Sequence, residues 1–152
     1  MKKDIYKISE KDTVIILYET INENIFLLES FIKEMQNGNH KLRLPNGKED
    51  VSVLVCEILF IEFSCNKLHI HMRDKSFAVA SRLCEMEKNL PSYFVKISKS
   101  IIVNMNHLQS IKKERNGIGT VQLSGDFPPL WYSRMYYKNI KEYLDKKQML
   151  LS

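Results

Sequence analysis

The chain is 152 residues long, 44% hydrophobic, and carries a formal net charge of +5. That length fits one ordinary domain, or one domain plus a small extension, and it is enough to bury a real core. No run of about 18 apolar residues is present, and the lysine-bearing start lacks the apolar stretch and cleavage site of a leader. A soluble cytoplasmic protein is therefore expected.

The charge is unevenly placed. Residues 1–40 carry five Lys/Arg against seven Asp/Glu, a net of −2, whereas residues 41–152 carry eighteen against eleven, a net of +7. A basic surface on the second part suits an anionic partner. The three cysteines, Cys56, Cys65 and Cys84, are odd in number and form no CxxC pair, so neither a disulfide framework nor a zinc knuckle is expected.

In chain order, residues 4–8 and 14–18 are strand-like. Thr20 with Glu23 three residues later fits a capping box. Ile25, Leu28, Ile32 and Met35 then recur at helical spacing until Asn37-Gly38, giving an apolar face that needs a partner. From Lys41 the pattern changes to short strands. Residues 41–44 and 51–55 flank a Pro45-Asn46-Gly47 turn and predict a hairpin. Residues 58–63 and 67–73 predict the next, with Ser64-Cys65-Asn66 between them. On the second of these strands Leu68, Ile70 and Met72 face the core, while Lys67, His69, His71 and Arg73 face outward.

Residues 77–80 extend the sheet, and Leu83, Met86 and Leu90 form a short amphipathic helix stopped by Pro91. A strand over 93–97, a tight helical turn over 100–105 and a strand over 108–113 follow. Arg115-Asn116-Gly117 turns the chain into a strand over 120–123. Ser133 is positioned to cap a last helix in which Tyr136, Ile140 and Leu144 line one face. The predicted fold is mainly β, of the α+β class, with a strand-helix unit over residues 1–40 ahead of a domain over 41–152.

The chemistry points to nucleic acid. Residues 93–104 read as a strand running into the basic, hydroxyl-rich turn Ser98-Lys99-Ser100, and Tyr132-Ser133-Arg134-Met135 offers a second such turn. Lysine and arginine there can meet phosphates or base edges, and hydroxyls can donate to phosphate. No Gly-rich phosphate loop, HExxH or GxSxG occurs, and no cysteine is accompanied by the His and Asp needed to activate it, so an enzyme is not expected. His69 and His71 lack a carboxylate or thiol at ligand spacing, so no metal and no cofactor is expected. Asn104 is read as structural, and Tyr136 as core, although the group Trp131, Tyr132, Tyr136 and Tyr137 could stack the bases of a single strand.

From about Lys41 to Lys146 the chain resembles the LytTR DNA-binding domain, the output module of AlgR, AgrA and LytR type bacterial regulators. The resemblance rests on Ile61-Glu62 ahead of a hairpin, the helix Leu83 to Leu90, the run Phe94 to Asn104, and Ser133-Arg134-Met135-Tyr136-Tyr137. It implies a largely β fold without a helix-turn-helix, binding double-stranded DNA through loops that enter successive major grooves. The DNA-facing residues so implied centre on the Asn66-Lys67 turn, Ser98-Lys99-Ser100, and Ser133, Arg134 and Met135. His69, Lys96 and Lys138 complete the candidate set. Two positions depart from the common pattern: Ser98 stands where many relatives carry histidine, and Met135 where a second arginine or other polar residue is common.

Forty residues are too few for the receiver domain of the better-known members, so the resemblance implies a stand-alone regulator. It also implies a homodimer on direct repeats and a membrane-protein inhibitor encoded nearby, with no small-molecule substrate. The alternative is an adaptor whose basic face binds an acidic or membrane-associated protein.

Overall fold

The computed structural model describes residues 4–5, 17–18, 32, 41–46 and 48–151. Strands β1 (Asp4–Ile5) and β2 (Leu17–Tyr18) pair antiparallel, Asp4 opposite Tyr18. The helix expected after Thr20 lies outside the described residues, apart from Ile32, which is helical.

The expected hairpins are present. In β3 (Lys41–Asn46) and β4 (Glu49–Leu54), Leu42 lies opposite Val53 and Leu44 opposite Val51, which gathers the apolar side chains on one face. Pro45 stays within the strand, opposite Asp50, and pairing continues to Asn46 and Glu49, so the turn falls later than Pro45-Asn46-Gly47 suggested. A two-stranded sheet is all edge, where a missing proline amide is tolerated.

The main sheet has the order β7-β6-β5-β9-β8 and is antiparallel throughout. Its strands are β5 (Ile58–Ser64), β6 (Lys67–Met72), β7 (Ser76–Val79), β8 (Phe94–Lys96) and β9 (Ile101–Asn104). The segment expected to be a helical turn, residues 100–105, is thus mostly strand. Its β-branched run Ile101-Ile102-Val103 pairs with β5 on one side and β8 on the other. Central pairing outweighs any local preference for a turn, and helical geometry begins only at Met105. Ile58, Leu59, Phe60 and Ile61 are all buried, as expected for a strand covered on both faces.

A second sheet joins β10 (Leu108–Lys113), β11 (Gly119–Leu123) and β12 (Leu130–Tyr132). Strand β12 is an addition to the expected elements, three residues long and lying after Pro128-Pro129. Its register sets Tyr132 opposite Gly119, where any side chain would collide with the Tyr132 hydroxyl and the Lys112 carbonyl. Gly119 is therefore what admits the Tyr132 ring to the core.

Helix α1 (Leu83–Glu87) buries Leu83 and Met86 and ends earlier than expected. Helix α2 (Tyr137–Leu151) follows a 3-10 turn over Arg134–Tyr136. Its inward stripe is Ile140, Tyr143 and Leu144, and Tyr136 is only half-buried. The core role expected for Tyr136 falls instead to Tyr132, which is 2% exposed, because residue 136 precedes the α-helical register. One apolar cluster joins Ile61, Ile70 and Ile102 of the main sheet to Val121, Leu123 and Tyr132 of the second and Ile140 of α2. Within it Asn104 is fully buried. Its amide donates to the Ile58 carbonyl at 2.9 Å, and its side-chain oxygen accepts from the Asn106 amide at 3.0 Å. The structural reading of Asn104 holds, with a reach to β5 that local spacing did not show.

Candidate nucleic-acid interface

The β5–β6 turn is a two-residue loop, since Ser64 pairs with Lys67. Cys65 (φ 51) and Asn66 (φ 60) are both left-handed, the geometry of a type I′ turn that matches the twist of the flanking strands. Asparagine adopts this conformation readily and cysteine less so. The turn leaves Asn66 and Lys67 exposed at its tip.

The loop between β8 and β9 is closed by the Ile97 amide donating to the Ile101 carbonyl at 3.0 Å. Ser98 braces it from inside, its hydroxyl oxygen accepting from the Ser100 amide at 3.3 Å. Lys99 stands exposed at the apex, between half-buried serines. The Phe63 amide donates to the Ser100 carbonyl at 2.8 Å, so this loop is fastened beside the β5–β6 hairpin.

The third segment is fastened to the second. The Ser133 amide donates to the Ile97 carbonyl at 2.9 Å. The Ser133 carbonyl in turn accepts from the amides of Tyr136 and Tyr137, both at 3.1 Å. Ser133 thus opens the helical segment as expected, but through its carbonyl; no side-chain cap bond forms, and its buried hydroxyl oxygen has no hydrogen-bond partner. Arg134 and Lys138 are exposed, and Met135 is 69% exposed.

These bonds bring Asn66, Lys67, Ser98, Lys99, Ser100, Ser133, Arg134 and Met135 to neighbouring positions, although they are far apart in sequence. Two candidates are engaged locally. Lys96 lays its ammonium 5.7 Å from the centre of the Tyr136 ring, and its carbonyl accepts from the Asn139 amide group at 3.1 Å. His69 turns back so that Nε2 donates to the Ser64 carbonyl at 3.2 Å, which braces the hairpin carrying Asn66 and Lys67.

The outward row on β6 is less uniform than its alternation suggested. His71 is half-buried, stacked on Phe60 at 4.3 Å with Phe127 edge-on to both rings, and its Nε2 lies 3.0 Å from Glu62 Oε1. Pairing of β5 with β6 supplied this carboxylate, which sequence spacing did not reveal. Among the described residues no group of three or more His, Cys, Asp or Glu side chains is arranged to hold a metal ion.

The aromatic residues do not form one platform. Tyr132 is buried and stacks on Tyr137 at 5.3 Å, whereas Trp131, its neighbour on the strand, points the other way and is 56% exposed. Burial raises the Tyr132 phenol above its ordinary pKa, and the neighbouring Tyr137 adds to the rise. Lys113 lies 5.3 Å from the Tyr137 ring centre, and its hydrogen bond to Tyr137 raises the ammonium pKa.

Electrostatics favour an anion here. Among the described residues the ion pairs are His71–Glu62 and Lys112–Glu114, and none of Lys67, Lys99, Arg134 and Lys138 has an ion-pair partner there. The first turn of α2 holds no acidic residue, and cations stand where the helix dipole prefers a negative group. A bound phosphate would relieve that arrangement.

The sequence model of the LytTr DNA-binding domain family matches residues 48–145. An uncharacterized HTH-type transcriptional regulator of Staphylococcus aureus strain NCTC 8325 is 29% identical over 124 residues, which span 82% of this chain and 83% of that protein. Another, from the bovine strain RF122, is 42% identical over 72 residues, 47% of this chain and 48% of its own. Despite those names, the described residues here form no helix-turn-helix, since α1 and α2 are separated by five strands. Among solved structures, the LytTr DNA-binding domain of a methyl-accepting/DNA response regulator from Bacillus cereus has the same fold. It covers 70% of this chain and 98% of its own, with a TM-score of 0.62 at 20% identity. None of this chain's described helices is long and apolar enough to cross a membrane. The chain belongs to the LytTr DNA-binding domain family, which makes it a DNA-binding protein of the transcription-regulator class.

Proposed function

We propose that the protein is a sequence-specific transcription regulator that grips duplex DNA with three adjoining segments: Asn66-Lys67, Ser98 to Ser100, and Ser133 to Met135. The observation that carries this reading is the pair of backbone bonds, Phe63 to Ser100 and Ser133 to Ile97, that fasten the segments side by side. Lys67, Lys99 and Arg134 then offer cations to one backbone, while Asn66, Ser98 and Ser100 offer short polar groups that suit base edges and phosphate oxygens.

Ser98 and Met135 shape what such an interface reads. A serine hydroxyl reaches less far than an imidazole, and an exposed methionine offers apolar contact of the kind a thymine methyl accepts. Phosphate contacts then carry much of the affinity, with base contacts drawn chiefly from Asn66, Lys99 and Arg134. His69, Lys96 and Lys138 support the interface from its margins.

Binding as a dimer on direct repeats about one helical turn apart would place two copies on one face of the duplex. Residues 1–40 supply the dimer contact or the regulatory one in this reading, and a membrane-associated inhibitor is the kind of partner that would engage them. The test is a titration of the full chain with duplex from upstream of its own gene against a scrambled duplex, at two salt concentrations. The expected result is a preference for the native sequence and an affinity that falls steeply with salt. Equal, weak binding to both duplexes would overturn sequence-specific regulation in favour of the adaptor.

A further inference from the structure

A fourth basic segment stands beside the last of these three. The β10–β11 turn runs Lys112-Lys113-Glu114-Arg115-Asn116-Gly117, and the Glu114 amide donates to the Ile118 carbonyl at 2.8 Å to close it. Asn116 (φ 64) and Gly117 (φ 78) are both left-handed, which fixes the turn's direction. Gly117 faces Arg134. A side chain there would begin 3.0 Å from Arg134 Cγ and 3.3 Å from Cδ, so the aliphatic stem of Arg134 lies across the bare backbone of this turn.

The packing continues behind the turn, where the Lys113 ammonium rests on Tyr137, the first residue of α2. Glu114 is the single acid in the segment, and it is paired with Lys112 at 3.2 Å. Arg115 is exposed and has no ion pair among the described residues. The turn that packs on the Arg134 stem therefore also presents an exposed guanidinium with no ion pair among the described residues, on a separate element with its own conformational constraint.

We propose that the β10–β11 turn is a fourth DNA-contacting segment, in which Arg115 binds a phosphate of the duplex that Arg134 enters, with Gly117 setting the position of Arg134. This rests on the DNA reading above and extends the footprint to a hairpin outside the candidate set. A guanidinium matches a phosphate in a bidentate manner, and neutralising one phosphate releases condensed counterions whatever the sequence. Arg115 is accordingly a source of affinity, and Arg134 keeps the task of discrimination.

The test is an anisotropy titration of the full-length wild type, Arg115→Ala and Arg115→Lys with two duplexes, the one from upstream of the gene and its scrambled counterpart, across a salt series. Arg115→Ala is expected to weaken binding to both duplexes by the same several-fold factor and to reduce the salt slope by about 1. Arg115→Lys should restore the slope and only part of the affinity, because an ammonium keeps the charge without the fork. Thermal melting of each variant should match wild type, since the side chain is exposed.

Wild-type affinity and slope in Arg115→Ala would overturn this proposal and leave the three-segment interface standing. A loss confined to one duplex would put Arg115 on a base edge and overturn the phosphate assignment. If wild type itself bound neither duplex, the DNA reading would fall, and this proposal with it.

Discussion

The amide of Ser133 donates to the carbonyl of Ile97 at 2.9 Å, although the two residues belong to different sheets' connections and lie far apart in the chain. That bond sets the start of the last helical segment against the strand that leads into Ser98-Lys99-Ser100. Two short polar motifs that are separate in the sequence thereby become one surface. The spacing between Lys99 and Arg134 is governed by backbone, the most rigid part of the fold, so a groove or phosphate spacing on DNA could be read reproducibly.

Lys99→Ala and Arg134→Ala should each weaken binding to the preferred duplex by roughly 1 to 3 kcal/mol if the side chain reads a base. Loss of discrimination against scrambled DNA marks base reading, and equal loss on both duplexes marks phosphate contact. Competition titrations of the two variants distinguish these results. Wild-type binding in both would remove these residues from the interface.

Ser133→Ala should separate stability from binding. The hydroxyl oxygen is buried and unpartnered, so its removal relieves an unmet hydrogen bond and should leave urea stability unchanged or higher by about 1 kcal/mol. Because that oxygen is buried it meets no phosphate or base, and duplex affinity should stay at the wild-type value in the same variant. Chemical denaturation beside a binding titration checks both halves.

Asn104→Leu should destabilise the domain by about 1 to 3 kcal/mol, because the Ile58 carbonyl loses its partner in a buried position and the part-buried bond to the Asn106 amide is lost as well. The measurement is the shift in urea midpoint. A neutral result would mean that these backbone groups find other partners and that Asn104 is not what joins β9 to β5.

Alkaline stability should depend on Tyr132. Its pKa in the folded protein is raised above the ordinary 10.0, chiefly by burial. As pH rises above that value the unfolded chain releases the phenolic proton first, so unfolding is favoured. The Tyr132 contribution is fully present below the unfolded pKa and is lost as pH rises through the folded one. Lys113, with its ammonium pKa raised by Tyr137, acts in the same direction. Tyr132→Phe should therefore lose stability less steeply than wild type in urea melts above pH 10, and parallel curves would refute the assignment.

The sequence by itself determined the strands and turns that are marked by local chemistry. Alternating Leu68, Ile70 and Met72 defined β6, Asn116-Gly117 defined a tight turn, and the runs around Phe94–Asn104 and Ser133–Tyr137 carried the resemblance to the LytTR domain. Those signals are legible because period-two burial and left-handed turns constrain residue type directly. Tertiary structure decided the rest. It converted Ile101–Asn104 from an expected turn into a central strand, since two flanking strands offered hydrogen bonds and cover. Pairing of β5 with β6 set Glu62 beside His71, pairing of β11 with β12 brought Tyr132 rather than Tyr136 into the core, and the β10–β11 turn received the stem of Arg134 across Gly117. Each of these depends on contacts between residues distant in the chain, and the energy of such contacts appears only when the strands have a register.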